Sequence, residues 1–248
     1  MIIKTLMMRE MITRFGREGL GFLWLIGEPL MFVCGVIVLW SLIKPEYEHG
    51  IRVAAFVMTG YMCLLLTRHV ISYNLSALTA NVGLLHHRQI SVLHIYASRN
   101  ILEVLGSSTA FVVVYFILFC LGQVGLPHDI LLVYSGWLIL TGISIGFGIL
   151  FSALALQFDL MERLVGVIQY LMIPATGTFF MVGWFSERVR NIILLIPFPN
   201  AVEMVRGGVF GEFVPTYYNP LYAIAWAAGL NFVGLILLAR ARNRIEIE

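Results

Sequence analysis

The sequence predicts an all-α polytopic membrane protein with six transmembrane helices. Three observations carry this. The chain has 248 residues, 60% hydrophobic and only 12% charged, with a mean hydropathy of +0.90. A soluble domain carries about 25% charged residues, so lipid must be the solvent for much of this chain. The apolar residues fall into runs near the ~20 residues a spanning helix needs. Between the runs lie two charged stretches too short or too broken to cross.

Residues 1–20 interleave Lys4, Arg9, Arg14 and Arg17 with Met7, Met8, Met11, Ile12 and Phe15. Met8, Met11, Ile12 and Phe15 follow i, i+3, i+4, i+7, one face of a helix. Basic residues beside an apolar stripe predict an amphipathic helix lying in the membrane interface. The start, MIIKTLMMRE, has too short an apolar part to act as a cleavable leader and lacks a small-residue cleavage site. The first span is expected over 22–43, entered through a bend at Gly19–Gly21 and kinked by Pro29. A short turn-like loop, 44–52, leads to a second span over 53–80 that contains Arg68 and His69. Residues 81–99 cannot span; they predict a short amphipathic helix carrying His86, His87, Arg88, His94 and Arg99. Further spans follow over 100–123, 130–157 and 164–183, the last with Pro174 in its middle. The stretch 184–216 holds Glu187, Arg188, Arg190, Glu203, Arg206 and Glu212, and Pro197 and Pro199 break its one apolar run. It predicts a hairpin that dips in and returns on one side. The sixth span is expected over 217–239, and no second domain, linker or internal repeat is visible.

Six spans put both termini on one side. That side holds Lys4, Arg9, Arg14, Arg17, Arg88, Arg99, Arg163, Arg240, Arg242 and Arg244. The other holds Lys44, Arg52, Arg188, Arg190 and Arg206. The excess of basic residues marks the first side, with the N and C termini, as cytoplasmic.

Some chemistry has no motif here. There is no GxxxxGK[ST] loop to cradle a nucleotide phosphate, no HExxH, and no CxxC spacing among Cys34, Cys63 and Cys120. The adjacent rings of His86 and His87 would point about 100° apart on a helix, which does not suit a metal. Glu28 and Glu103 are the only acidic residues within the spans, both near the cytoplasmic edge. An ion-coupled carrier would place a carboxylate near the midplane, and a membrane-embedded transferase would need an acid–base pair or a nucleophile with its base. A net charge of +2 does not suggest a nucleic-acid partner. The expectation is a passage through the membrane driven by another polypeptide, with the 81–99 helix shaped to dock into a groove on that partner. Arg68, about 22 Å into its span at 1.5 Å per residue, either snorkels to the cytoplasmic interface or faces a water-filled path taken by an anionic substrate. Aromatic residues such as Tyr73 and Trp184 belong to interface belts and packing or, for a minority, to a saccharide path.

The N-terminal pattern RE-x-x-x-RFG-x-x-x-LG-x-LW-x-x-x-EP, from Arg9 to Pro29, resembles the signature of ABC transporter permeases that export polysaccharides, most of all those of bacterial capsule export. Two further runs agree with that family: AN-x-GL-x-x-x-R at Ala80, Asn81, Gly83, Leu84 and Arg88, and P-N-x-x-x-E-x-x-R at Pro199, Asn200, Glu203 and Arg206. The sequence reads PFPN where relatives often have NP. The resemblance implies a cytoplasmic coupling helix with Leu84, Leu85, His86, His87, Arg88, Gln89 and Ile90 against the ATP-binding subunit. It implies an interfacial helix presenting Arg9, Arg14, Phe15 and Arg17, and a substrate path that touches Arg68, His69, Tyr73 and Trp184. It implies a re-entrant extracytoplasmic gate over 184–216 with Pro197, Pro199, Asn200, Glu203 and Arg206. Two copies of such a permease work with two ATP-binding subunits, a periplasmic adaptor and an outer-membrane channel on a lipid-linked polysaccharide. ATP and Mg are bound by the partner, so no cofactor or catalytic residue is expected in this chain. An O-antigen or teichoic-acid exporter permease is the alternative.

Overall fold

The computed structural model describes residues 2–15, 21–48, 50–85 and 89–245. Helix α1 (Ile2–Phe15) precedes α2 (Gly21–Ile43). The next loop forms a two-strand hairpin, with Tyr47 of β1 (Tyr47–Glu48) opposite Arg52 of β2 (Ile51–Arg52). Helix α3 (Val53–Leu75) leads through a turn at Thr79–Asn81 to the one-turn α4 (Val82–Leu85). Then come α5 (Val92–Cys120), α6 (Ile130–Ala155), α7 (Asp159–Ala175), α8 (Glu187–Ile193), α9 (Pro197–Phe210) and α10 (Pro220–Ile245).

Among the described residues five helices, α2, α3, α5, α6 and α10, are long and apolar enough to cross a membrane, and the bent pair α8–α9 would make a sixth if it were one span. Their burial does not follow their hydropathy: α6, the most apolar at 2.2, is 56% buried, and α10, at 2.0, is 22% buried. The spanning window of α2 has a mean hydropathy of 2.1 and is 11% buried; α3, at 1.5, is 89% buried. In lipid a wholly apolar helix such as α2 can stand outside at no cost, and a helix carrying Thr59, Thr67, Arg68, His69 and Asn74 belongs inside the bundle. Val57, Met58, Met62 and Leu66 of α3 accordingly pack in one core with Ala110 and Val114 of α5, Leu140 and Ile143 of α6, and Val202 and Val205 of α9. Helix α6 is the shared wall, against which α3, α9 and α10 all pack. Gly142 and Gly146 face α10, where a Cβ on Gly146 would lie 2.7 Å from that of Leu230. Asn231 donates across this contact to the Gly142 carbonyl at 2.8 Å.

Several expected boundaries move. The third long helix starts at Val92, not at residue 100, because Ser91 caps it: its hydroxyl accepts from the His94 N–H at 3.4 Å, and the His94 ring accepts from the Ser91 N–H at 3.2 Å. His94 and Arg99 therefore belong to α5, and the single amphipathic helix expected over 81–99 is replaced by α4, a break and the first turns of α5. The second span ends at Leu75 rather than 80. The expected fifth span is α7, which begins early, at Asp159, and stops at Ala175, one residue after Pro174 and two before Gly177, whose φ is +79°; it is not among the five helices long and apolar enough to cross. Its 17 residues reach about 26 Å. The 184–216 stretch holds α8 and α9, which meet at 109° where Pro197 opens α9 and can donate no N–H. Every residue of α9 from Pro197 to Val209 is buried.

Leu238 of α10 packs with Ala77, Leu78, Val92 and Ile95, and Arg9 of α1 bonds Asn81 in the same turn, so α1 and the end of α10 lie at the same end of the bundle. The hairpin β1–β2, the α5–α6 loop and α8 lie at the other.

Candidate functional site

At the α1 end a network of charges ties three helices. One oxygen of the Glu10 carboxylate on α1 accepts from Arg14 at 2.8 Å and pairs with Arg99 of α5 at 2.9 Å. Arg14 reaches on to Glu103 of α5 and lays its guanidinium over the Tyr73 ring of α3, 3.6 Å from the centroid. Arg99 donates to the Tyr73 carbonyl at 2.7 Å and to the Ser76 hydroxyl at 3.2 Å. Arg9 donates to the Asn81 side chain at 3.1 Å, and Asn81 donates back to the Ala77 carbonyl at 2.9 Å. At its centre the carboxylates of Glu10 and Glu103 face the guanidinium groups of Arg14 and Arg99, so these four charges balance. That is how charges survive burial at the rim of a membrane domain. Burial works to lower the pKa of Arg14, but Glu103 and Glu10 outweigh it and hold the guanidinium above its ordinary value.

This network gathers Arg9, Arg14, His69 and Tyr73 from the sequence expectations. His69 stands 4.0 Å from the second oxygen of Glu103 and edge-on to Tyr73. That oxygen is buried and has no hydrogen bond among the described residues. Arg68, half-buried, lies over the Tyr170 ring at 5.6 Å. Trp184 is elsewhere, packed 5.2 Å from the ring of Phe56, near the opposite end of α3. The four path candidates therefore do not form one cluster.

Of the residues expected to dock on a partner, Leu84 is half-buried and Gln89 exposed, while Ile90 packs on the core beneath the α3–α5 turn. Leu85 closes α4; its side chain, like that of Phe15, is outside the described set. His86, His87, Arg88 and Arg17 lie outside the described residues.

The P-N-x-x-x-E-x-x-R run forms a second polar centre, inside the bundle. Asn200 donates to the carbonyls of Leu194 and Ile196 at 2.9 and 3.0 Å and accepts from the Asn219 N–H at 2.8 Å. The Glu203 oxygens accept from the N–H groups of Val182 at 3.1 Å and Tyr217 at 3.3 Å. Arg206 is wholly buried. It donates to the carbonyls of Gly177, Thr178 and Phe180 just beyond the end of α7, and its guanidinium lies 4.4 Å from the Phe56 ring centroid. Gly60 is what lets α3 approach: a Cβ there would sit 2.6 Å from the Thr178 carbonyl and 2.8 Å from Arg206 Nη2. Pro197 and Pro199 open the helix that presents these side chains. The run thus binds three separate loops to one buried helix.

Sequence reasoning missed Glu10 and Arg99 as partners of Arg14 and Glu103. The signal was the coincidence of a lone carboxylate near the edge of a span with an arginine-rich segment ahead of the first span. Among the described residues no set of three His, Cys, Asp or Glu side chains is arranged to hold a metal ion, and Cys34, Cys63 and Cys120 are free thiols.

The chain is similar over nearly its whole length to proteins of known role. CtrC, a capsule polysaccharide export inner-membrane protein of Neisseria meningitidis serogroup A, is 33% identical over 245 residues, covering 99% of this chain and 92% of CtrC. BexB, a capsule polysaccharide export inner-membrane protein of Haemophilus influenzae, is 31% identical with the same coverage. KpsM, a polysialic acid transport protein of Escherichia coli, is 22% identical over 235 residues, 95% of this chain and 91% of KpsM. No protein-family model matches. With five apolar helices of spanning length and full-length identity above 30% to such relatives, the chain is a multi-pass inner-membrane protein and belongs to the family of capsule polysaccharide export inner-membrane proteins.

Proposed function

We propose that this chain is the membrane subunit of an ATP-driven exporter that moves a lipid-linked capsular polysaccharide from the cytoplasm across the inner membrane. The observation that carries the proposal is the full-length similarity to CtrC and BexB, both named for capsule polysaccharide export. In this reading two copies form the passage, and each docks on an ATP-binding subunit that holds ATP and Mg. A periplasmic adaptor and an outer-membrane channel continue the route. The permease itself catalyses nothing.

The α1 end faces the cytoplasm in this proposal, with α7 as the short fifth of six crossings. The stretch from Leu84 to Ile90 meets the ATP-binding subunit; the exposure of Gln89 supports this. Arg68, His69 and Tyr73 border the inner part of the path, where a guanidinium and an imidazole suit an anionic polymer or its anchor. The 184–216 region is the outer gate. Asn200, Glu203 and Arg206 serve there as its frame, since each is buried and bonded to backbone.

Deleting the gene and locating the polymer tests the proposal. Polymer trapped in the cytoplasm is the expected result. Polymer that is never made, or that still reaches the surface, refutes it.

A further inference from the structure

Helices α5 and α6 follow one another in the chain but touch at few points. Away from the α1 end, the Trp137 indole N–H donates to the Ser108 hydroxyl at 2.9 Å, and its ring lies 5.0 Å from that of Phe111. At the α1 end, the hydroxyls of Tyr96 and Ser152 share a hydrogen bond of 2.6 Å. Between these bridges lies a groove of about 520 Å³. Leu93, Ala97, Ile101 and Leu105 of α5 line one wall, and Ile145 and Ile149 of α6 the other. The α5 residues recur every fourth position, so they form a stripe about 18 Å long. Leu93, Ile101 and Leu105 are 59, 40 and 53% exposed.

One polar side chain interrupts this lining without a full set of partners. Asn100 lines the groove and is 7% exposed. Its Oδ1 accepts from Asn74 Nδ2 at 2.7 Å, while its own Nδ2 donates to no group among the described residues. The other polar residues of the lining are engaged, Tyr96 with Ser152 and Thr141 with the Trp137 carbonyl at 2.8 Å. An amide donor buried among apolar groups is costly unless something accepts its hydrogen. The depth of Asn100 identifies the acceptor. Arg99, its neighbour in the chain, pairs with Glu10, and Glu103 pairs with Arg14, whereas α5 carries no charge from Val104 to Cys120. Asn100 therefore stands at the rim of the apolar layer. A glycerophospholipid places its ester carbonyls at that boundary, between headgroup and acyl chain.

We propose that this groove binds a diacyl glycerophospholipid of the bilayer, with Asn100 Nδ2 donating to an ester carbonyl and the acyl chain lying along Ile101, Leu105 and Ile145. The bound chain completes the wall between α5 and α6. A membrane helix of another protein, about 10 Å across, would lie over the groove and leave the donor unmet, because a spanning helix spends its carbonyls on its own ladder. The side of the bundle separates this lipid from the polymer's anchor. Arg68 and Ser72 of α3 turn toward α7, where they meet Tyr170 and Gln169, while Asn74 turns toward α5. The groove thus lies against a different face of α3 from Arg68, and the proposal does not depend on how export is powered.

The full-length permease, extracted from inner membranes in mild detergent and washed, tests this by native mass spectrometry of the lipid it retains. The parent should carry one diacyl glycerophospholipid per chain. Ala97→Trp and Leu105→Trp each fill the groove from a position that is not fully buried. Both should retain about tenfold less lipid at normal chain abundance, a loss that displacing roughly two methylene groups suffices to produce. After reconstitution in nanodiscs of phosphatidylethanolamine and phosphatidylglycerol, an ether-linked phosphatidylethanolamine should displace the bound lipid about fivefold less well than the ester-linked form, the worth of one hydrogen bond. A parent without bound lipid, or equal retention in both tryptophan variants, overturns the site. Equal competition by the ether lipid overturns the role of Asn100. A retained molecule with the mass of a sugar-bearing lipid overturns the bilayer as its source.

Discussion

Replacing Arg206 with methionine removes the fork that closes the end of α7 while keeping the side chain's length and most of its volume. The carbonyls of Gly177, Thr178 and Phe180 then lose their donor inside the bundle, and each orphaned acceptor costs about 1–3 kcal/mol. Glu203, 3.9 Å from the guanidinium, loses the nearest opposite charge but keeps the N–H groups of Val182 and Tyr217. Relief of the guanidinium's desolvation offsets part of this. The net destabilisation is about 3–5 kcal/mol, as for other broken buried charge contacts. Arg206→Lys falls between methionine and the parent, because an ammonium keeps the charge but not the planar fork that serves three carbonyls at once. Unfolding of the purified protein in nanodiscs measures the loss. Limited proteolysis of the 176–182 segment reports whether that loop has come free. Unfolding within about 0.5 kcal/mol of the parent, the range of a surface substitution, refutes the claim that Arg206 frames this region.

Gly60→Ala should weaken the same place from the other side, by about 1–3 kcal/mol of overpacking, because the new Cβ meets the Thr178 carbonyl and the Arg206 fork; the same unfolding assay checks it. Its effect should be less than additive with Arg206→Met, since one contact is shared. Arg68→Leu should lower polymer export about tenfold with the chain still at normal abundance; unchanged export would assign Arg68 to the interface. Alanine at Leu84, Gln89 and Ile90 together should abolish co-purification of the ATP-binding subunit without changing the amount of permease in the membrane.

The membrane character of the chain and most of its spans are legible in the sequence because hydropathy over about 20 residues reports on solvent, and lipid is a uniform one. The boundaries read less well. The residue 92–99 segment carries His94 and Arg99, so composition assigns it to a short amphipathic helix outside the spans. In the fold it is the start of α5, since Arg99 finds Glu10 and the Tyr73 carbonyl there. A charge costs little where a partner waits, and the partner is about 90 residues away in the chain. The same blindness hides α9. Its fourteen residues include Asn200, Glu203 and Arg206 and read as a polar hairpin arm, yet it is among the most buried helices of the molecule.

What the sequence by itself determined is the solvent, the approximate place of the five long apolar helices and the residue types of three motifs. Each of these depends on neighbours along the chain or on composition. Only the tertiary structure decided which helix goes inside and which charges meet. Hydropathy cannot rank helices by burial in lipid, where α3 is the least apolar spanning helix and the most enclosed. The Arg14–Glu103 and Arg206–Gly177 contacts bridge residues 89 and 29 positions apart. Such long-range pairs satisfy buried polar groups at a distance, and no local pattern encodes which two will face each other once the helices have packed.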